Sequence, residues 1–137
     1  MSTQPAEPQP AYTPHGLFTA LARVAPHRVV EMERQKSEAF SLAAEHNDVA
    51  PIRQWLTIWA AEVEIERRPD LAARRGEAVH TVNTLDKDSP AWRASMEEIV
   101  AVVNEAREGV RVVVAPIERM LDDAFSEVGG AEVTPRK

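Results

Sequence analysis

The 137-residue sequence predicts an all-α protein, a bundle of about five to six helices that ends in a long kinked helix or helix pair. Apolar residues recur at helical spacing between the two ends of the chain. Five internal prolines each precede such a segment; proline fits the first turn of a helix, while the residue before it avoids helix. These prolines are Pro26, Pro51, Pro69, Pro90 and Pro116. We therefore expect helices separated by proline-marked turns.

The first half of the chain predicts three helices behind a disordered leader. Residues 1–13 hold three prolines among small polar residues, a composition that favours solvated, extended chain. A short helix over Leu17–Val24 follows. The segments Pro26–His46 and Val49–Arg67 then place apolar residues on one face and charged residues away from it, as amphipathic helices do.

The second half predicts further helices, with one position left open. Pro69–Leu85 has a weaker helical pattern, and helices over Pro90–Glu108 and Val110–Ser126 follow, either joined near Gly109 or fused into one kinked helix. A short strand over Val110–Val114 is an alternative, because this segment is rich in β-branched residues.

Two glycines set the predicted end of the helical domain. The pair Gly129-Gly130 is expected to stop the last helix. Residues 14–128 are then one helical domain, and residues 129–137 a flexible tail.

The last third carries a long apolar stripe with unbroken 4-3 spacing, which puts its members on one side of a helix. Its members are Trp92, Met96, Ile99, Val103, Ala106, Val110, Val113, Ile117, Met120 and Ala124. Val100, Val114 and Leu121 lie beside it and make it wider than the seam of a two-stranded coiled coil. We expect the stripe to be a core face that extends into an interface with a protein partner or a second copy.

Two smaller groups have a structural and a functional interpretation each. Trp55 and Trp59 stand one helical turn apart, where core packing is favoured and an exposed aromatic anchor is the alternative. A basic cluster surrounds Pro69, where ordinary surface arginines paired with nearby acids are favoured over a contact for an anion or nucleic acid. This cluster contains Arg67, Arg68, Arg74 and Arg75.

Composition excludes several classes of site. The chain lacks cysteine and has a formal net charge of -6, which rules out thiol chemistry and argues against a surface built throughout for phosphate backbones. Its four histidines are far apart, and no nucleophile or phosphate-loop motif occurs. We expect no catalytic residue, no metal and no cofactor. A secretory signal and a membrane-spanning run are both missing, so the cytoplasm is the default location.

The middle of the chain, about residues 17–80, has a distinctive helix-and-turn pattern: Ala20-Leu21 through Pro26, Glu31 to Ala44, Asp48-Val49-Ala50-Pro51, Trp55, Trp59-Ala60 and Arg68-Pro69. In this pattern the chain resembles a family of small, mostly uncharacterised actinobacterial helical proteins, some of them antitoxin-like. The resemblance implies a helical fold and a partner protein, without an activity that could be assigned to residues.

Together these features predict a non-enzymatic interaction or regulatory protein, antitoxin-like, that self-associates or docks a partner through an apolar helical face. Two alternatives stay open at this point. One is a nucleic-acid-binding regulator that uses the basic cluster. The other is a small-ligand-binding helical protein with a pocket at Trp55 and Trp59.

Overall fold

The computed structural model describes residues 8–133, with the side chains of residues 8–124 and 126. The predicted all-α fold is confirmed, since this part of the chain holds five α-helices, one short 3₁₀ turn and no strand. The helices are α1 (Pro14–Val24), α2 (Val29–His46), α3 (Ala50–Arg67), α4 (Pro69–Thr84) and α5 (Pro90–Val133), and the 3₁₀ turn is Pro26–Arg28.

Helix α1 begins three residues before its predicted start. Thr13 caps it by accepting a hydrogen bond from the Gly16 amide at 3.0 Å, and Pro14 occupies the first turn. Gly16 is required by a close approach, because a Cβ there would lie 2.1 Å from the Ala11 carbonyl oxygen. Tyr12, which falls in the predicted leader, is buried in the core.

Helix α3 is the centre of the molecule. It packs against α1, α2, α4 and α5, and it buries eight residues. One cluster of its apolar side chains meets α1, α2 and the second half of α5, while Ala61 and Ile65 meet Leu71 of α4 and the first half of α5. A helix contacted on so many sides is apolar over most of its circumference.

Helix α5 is one helix, so the helix pair joined at Gly109 and the strand over Val110–Val114 were wrong. The cost of a mid-helix glycine, about 1 kcal/mol, is outweighed here because α5 is packed on both sides of Gly109, with Val102 and Ala106 in one core cluster and Val110 and Val114 in the other. Pro116 lies inside the helix and leaves the carbonyl of Val112 without its usual helical donor.

The helix also continues past the glycine pair at its end. Gly129 and Gly130 were expected to stop it, but α5 runs on to Val133, and no glycine of the described residues takes the positive φ of a helix-ending turn. The predicted flexible tail therefore starts too early. Residues 1–7 and 134–137 lie outside the described residues, so disorder there stays a prediction.

The apolar stripe of α5 is buried along a different line from the predicted one. Its buried residues step by four, through Val102, Ala106, Val110 and Val114. Steps of four rotate the buried face around the helix, which happens because α5 leaves α4 and meets α3 along its length.

Members of the 4-3 stripe are consequently divided between core and surface. Ala106 and Val110 are buried. Partly buried members are Trp92, Ile99, Val103, Ile117 and the adjacent Leu121. Exposed members are Met96, Val113, Met120 and Ala124. The stripe is therefore partly core and partly accessible surface, and the interface expected of its accessible part stays a prediction.

Candidate functional site

The tryptophan pair belongs to the core, which corrects the alternative of an exposed aromatic anchor. Trp55 and Trp59 are 3% and 1% exposed. The Trp55 indole donates to the Met32 carbonyl at 3.1 Å, and the Trp59 indole donates to Gln35 Oε1 at 2.9 Å. Arg28 lies over the Trp59 ring, 4.9 Å from its centroid. Both rings and both N–H groups are thus already engaged within the chain.

Two arginines of the basic cluster surround a buried carboxylate. Glu64 is 2% exposed, and it accepts hydrogen bonds from Arg67 Nε at 2.7 Å and from Arg67 Nη2 at 3.1 Å. Arg68 also contacts Glu64, at 3.5 Å, and pairs with Asp70 at 3.0 Å. Burial of Glu64 is tolerated because two guanidinium groups compensate its charge.

The other two arginines are also paired with acids. Arg74 bridges α4 to α5, with Nε 2.9 Å from Glu98 and Nη1 2.8 Å from Glu105. Arg75 contacts Glu62 at 2.8 Å and Glu66 at 3.2 Å, and these two acids also pair with Arg28. The basic cluster is therefore a set of ion pairs that fixes α4 against α3 and α5.

These pairings move the pKa values of three carboxyl groups downwards. Burial alone would raise the pKa of Glu62, but hydrogen bonds from Arg28 and Arg75 outweigh it and hold the pKa below its ordinary value. Hydrogen bonds from Arg68 and Arg74 lower the pKa of Asp70 and of Glu98 respectively. All three acids are therefore charged at neutral pH.

The most unusual feature of the fold is a thinly packed arm, which we define as residues 75–100. It consists of most of α4, the connecting loop and the first part of α5. Across this stretch Ala78 is the single buried residue, although both helices are long. Because α4 contacts only α3 and α5, two helices here pack on each other without a third layer. Such a pair has little core of its own.

The two flanks of the arm differ in chemistry. On one flank the ion pair of Arg74 with Glu98 lies beside Thr81 and Ser95, and these residues line a shallow polar depression. Helical spacing places Val79 and Val82 of α4 and the apolar residues of α5 before Val102 on the opposite flank, and Leu85 follows directly after the end of α4. We call this set the arm face: Val79, Val82, Leu85, Trp92, Met96, Ile99 and Val100.

Side chains of the arm face are unusually accessible for their size. Val100 is 55% exposed, Leu85 42%, Val79 40% and Met96 37%. Val82, Trp92 and Ile99 are partly buried. Nearer the body, the same flank is partly covered, since Arg75 pairs with α3 and the partly buried Val103 packs on the cluster around Ile65. The arm face therefore begins where the cover from α3 ends.

Sequence reasoning found only part of this face. Trp92, Met96 and Ile99 belong to the predicted stripe, and Val100 was placed beside it. The contribution of α4 was missed, because the weak helical pattern of Pro69–Leu85 did not single out Val79, Val82 and Leu85 as accessible residues. Its weak pattern was the available signal, since α4 buries only Leu71 and Ala78.

A second group of exposed apolar residues lies on the other half of α5. Val112 is 78% and Met120 68% exposed, beside the half-exposed Val113. These residues belong to a single helix. The arm face, by contrast, draws on two helices and their loop.

No family model matches this chain. Searches of curated proteins and of solved structures also returned no match. The resemblance in helix-and-turn pattern therefore stays a prediction.

Within residues 8–133, no group of three or more histidine and acidic side chains is placed to hold a metal ion. No helix in the same range is long and apolar enough to cross a membrane. A surface depression of about 380 Å³ lies between the segment Pro8–Ala11 and α1, and neither Trp55 nor Trp59 lines it.

Proposed function

We propose that this chain is a non-enzymatic interaction protein that docks a partner through the arm face. The observation that carries the proposal is the arm itself, in which two helices extend past the rest of the core and bury one residue between them. A helix pair so poorly buried gains stability when another surface covers its apolar side. The partner is a protein, because the arm face offers apolar area and no charge.

Patch size supports this proposal. Seven partly or largely exposed apolar side chains present on the order of 400 Å² of apolar surface, within the range where the largest patch of a monomer is often functional. The residues are bulky, and one of them is a tryptophan, the residue type most enriched at the energetic centres of interfaces. Scattered single apolar residues would not form such a patch.

Pairing within the basic cluster weakens the nucleic-acid alternative. A phosphate group would have to displace Glu98 and Glu105 from Arg74, or Glu62 and Glu66 from Arg75. The chain also carries a net charge of -6, which opposes approach to a polyanion. In the proposal these arginines hold α4 in place, and they make no contact with a ligand.

We propose a regulatory, antitoxin-like role in the cytoplasm. In this role the arm face binds a partner protein and alters the activity of that partner. This broader role is supported by the sequence pattern and by the accessibility of the arm face. In this role the chain binds its partner and catalyses no reaction.

One pair of variants tests the proposed function. Val100→Glu puts a charge in the arm face, while Val30→Glu changes an α2 valine that is 78% exposed outside it. We expect Val100→Glu to abolish association, whether with itself or with a protein recovered from the native host, and Val30→Glu to leave it intact. Circular dichroism melts would establish that both variants are folded. Equal binding by the two variants would contradict the proposal.

A further inference from the structure

We propose that the partner of the arm face is a second copy of this chain, packed so that the two α5 helices run antiparallel across a two-fold axis. This inference rests on the proposed function, because it uses the same arm face. It adds the identity of the partner, the direction of the helices and the position of the axis.

The spacing of apolar residues on α5 is symmetric under reversal. Trp92, Met96, Ile99 and Val103 are separated by intervals of 4, 3 and 4 residues. When two such helices lie antiparallel with the axis between residues 97 and 98, Trp92 stands opposite Val103 of the second copy, and Met96 opposite Ile99. A two-fold contact requires this reciprocity, in which one surface complements itself.

Charge at the two ends of the arm favours the same arrangement. Arg107 is exposed at the edge of α3, where it lines a shallow depression with Ile58, and it follows Val100 and Val103 on α5 by seven and four residues. No ion pair of Arg107 is found among the described residues. At the other end, the loop carries Asp86, Lys87 and Asp88. The carboxylates of its two aspartates are also unpaired among the described residues. In the antiparallel dimer Asp88 of one copy reaches the level of Arg107 of the other.

With the axis between residues 97 and 98, the Glu97 side chains of the two copies come to the same level, and Arg93 of each copy supplies the opposite charge beside them. Arg93 and Glu97 lie one turn apart on the outer edge of α5, and they carry opposite charges. Glu98 is held by Arg74 on the opposite flank of the arm. A rim of one sign would repel its own copy, whereas this rim is mixed.

The area of the arm face matches what a stable dimer needs. Two copies would bury roughly 800 Å² of apolar surface, and interfaces are a little over half apolar, so the total is about 1,400 Å². This lies within the standard size of specific interfaces, about 1,200 to 2,000 Å². Two arms packed face to face would form a four-helix bundle, which supplies the layer that each arm lacks.

Sedimentation equilibrium over a concentration series is the first test. We expect the full chain to be a dimer, Val100→Glu to raise the dimer dissociation constant by at least about ten-fold, and Val30→Glu to leave it within about two-fold. A wild-type chain that stays monomeric to high micromolar concentration would overturn the inference. So would a dimer that Val100→Glu leaves unchanged.

Charge reversal tests the position of the axis. Arg107→Asp and Asp88→Arg should each weaken the dimer by about two- to five-fold, and the double variant should recover most of the loss, because the pair is then reversed and intact. Arg119→Asp is the control, since Arg119 is exposed on the far side of α5. If the fold-losses of dimer affinity in the two single variants simply multiply in the double variant, the proposed axis is contradicted.

Cysteine cross-linking tests the direction of the helices, and the natural absence of cysteine makes single-cysteine variants unambiguous. An equimolar mixture of Asp88→Cys and Arg107→Cys should form a mixed disulfide dimer on oxidation, while neither variant alone should cross-link. Self-cross-linking of each variant alone would mean parallel helices and would overturn the inference.

The outcome also separates this inference from the proposed function. If the chain is monomeric and Val100→Glu removes binding of a different protein from the native host, the inference that the partner is a second copy is wrong. The proposed function then stands. If Val100→Glu changes neither self-association nor binding of another protein, both fail.

Discussion

The carboxylate of Glu64 lies against Gly109, so that a Cβ on this glycine would stand 3.2 Å from Glu64 Oε2. Glu64 is buried on α3 and is held by Arg67 and Arg68. The glycine lets α5 approach this buried ion cluster, although glycine weakens a helix. Gly109 therefore marks a contact between helices, and the helix does not break there.

Gly109→Ala should lower the free energy of unfolding by about 1 kcal/mol, because the crowding of a fixed carboxylate outweighs the better helix propensity of alanine. Gly76→Ala is the matched control, since a Cβ at Gly76 meets nothing within 4 Å. That variant should raise stability by about 0.5 to 1 kcal/mol. Urea denaturation measures both, and equal effects of the two substitutions would contradict the packing argument.

Glu62→Gln should lower the free energy of unfolding at neutral pH. It should also make this free energy fall less steeply as the pH is lowered. The folded-state pKa of Glu62 is held below its ordinary value of 4.5 by Arg28 and Arg75. Its contribution is therefore fully present above about pH 4.5 and is lost as pH falls through the lowered folded-state pKa.

The measurement is the difference in unfolding free energy between wild type and Glu62→Gln from pH 7 to pH 2. We expect this difference to be about 1 to 2 kcal/mol at pH 7 and to shrink at the acid end. A difference that does not change with pH would show that the charge of Glu62 contributes nothing.

Trp55→Phe should destabilise the fold by about 2 kcal/mol, because it removes the hydrogen bond to the Met32 carbonyl and leaves unfilled volume in the core. Phe40→Ala removes an aromatic ring that is largely exposed on α2 and should cost less than about 1 kcal/mol. Thermal unfolding compares the two. A larger loss for Phe40→Ala would contradict the placement of Trp55 in the core.

Pro116→Ala should stabilise α5 by about 1 kcal/mol or more, because alanine restores the hydrogen bond to the Val112 carbonyl inside the helix. Pro116 is exposed, so little packing is lost. Helical content and melting temperature by circular dichroism would record the gain. An unchanged or lower melting temperature would mean that the proline is needed for the packing of α5 on α3.

Much of the fold could be predicted from local pattern. The prolines placed the starts of α3, α4 and α5 to within a residue, and the spacing around Trp55 and Trp59 identified the core helix. The arm face could not be identified in this way. Val79 of α4 and Val100 of α5 have the periodicity of core residues, and helical spacing does not reveal whether a third helix covers them.

By itself the sequence determined the elements, because proline positions and apolar periodicity act within a few residues of chain. It also determined that the chain lacks thiol chemistry, since it has no cysteine. Only the tertiary structure decided which apolar residues are buried and which arginines are paired. Burial and ion pairing depend on segments far apart in sequence: Glu64 meets Gly109, Arg74 meets Glu98, and α3 ends before it can cover the arm face.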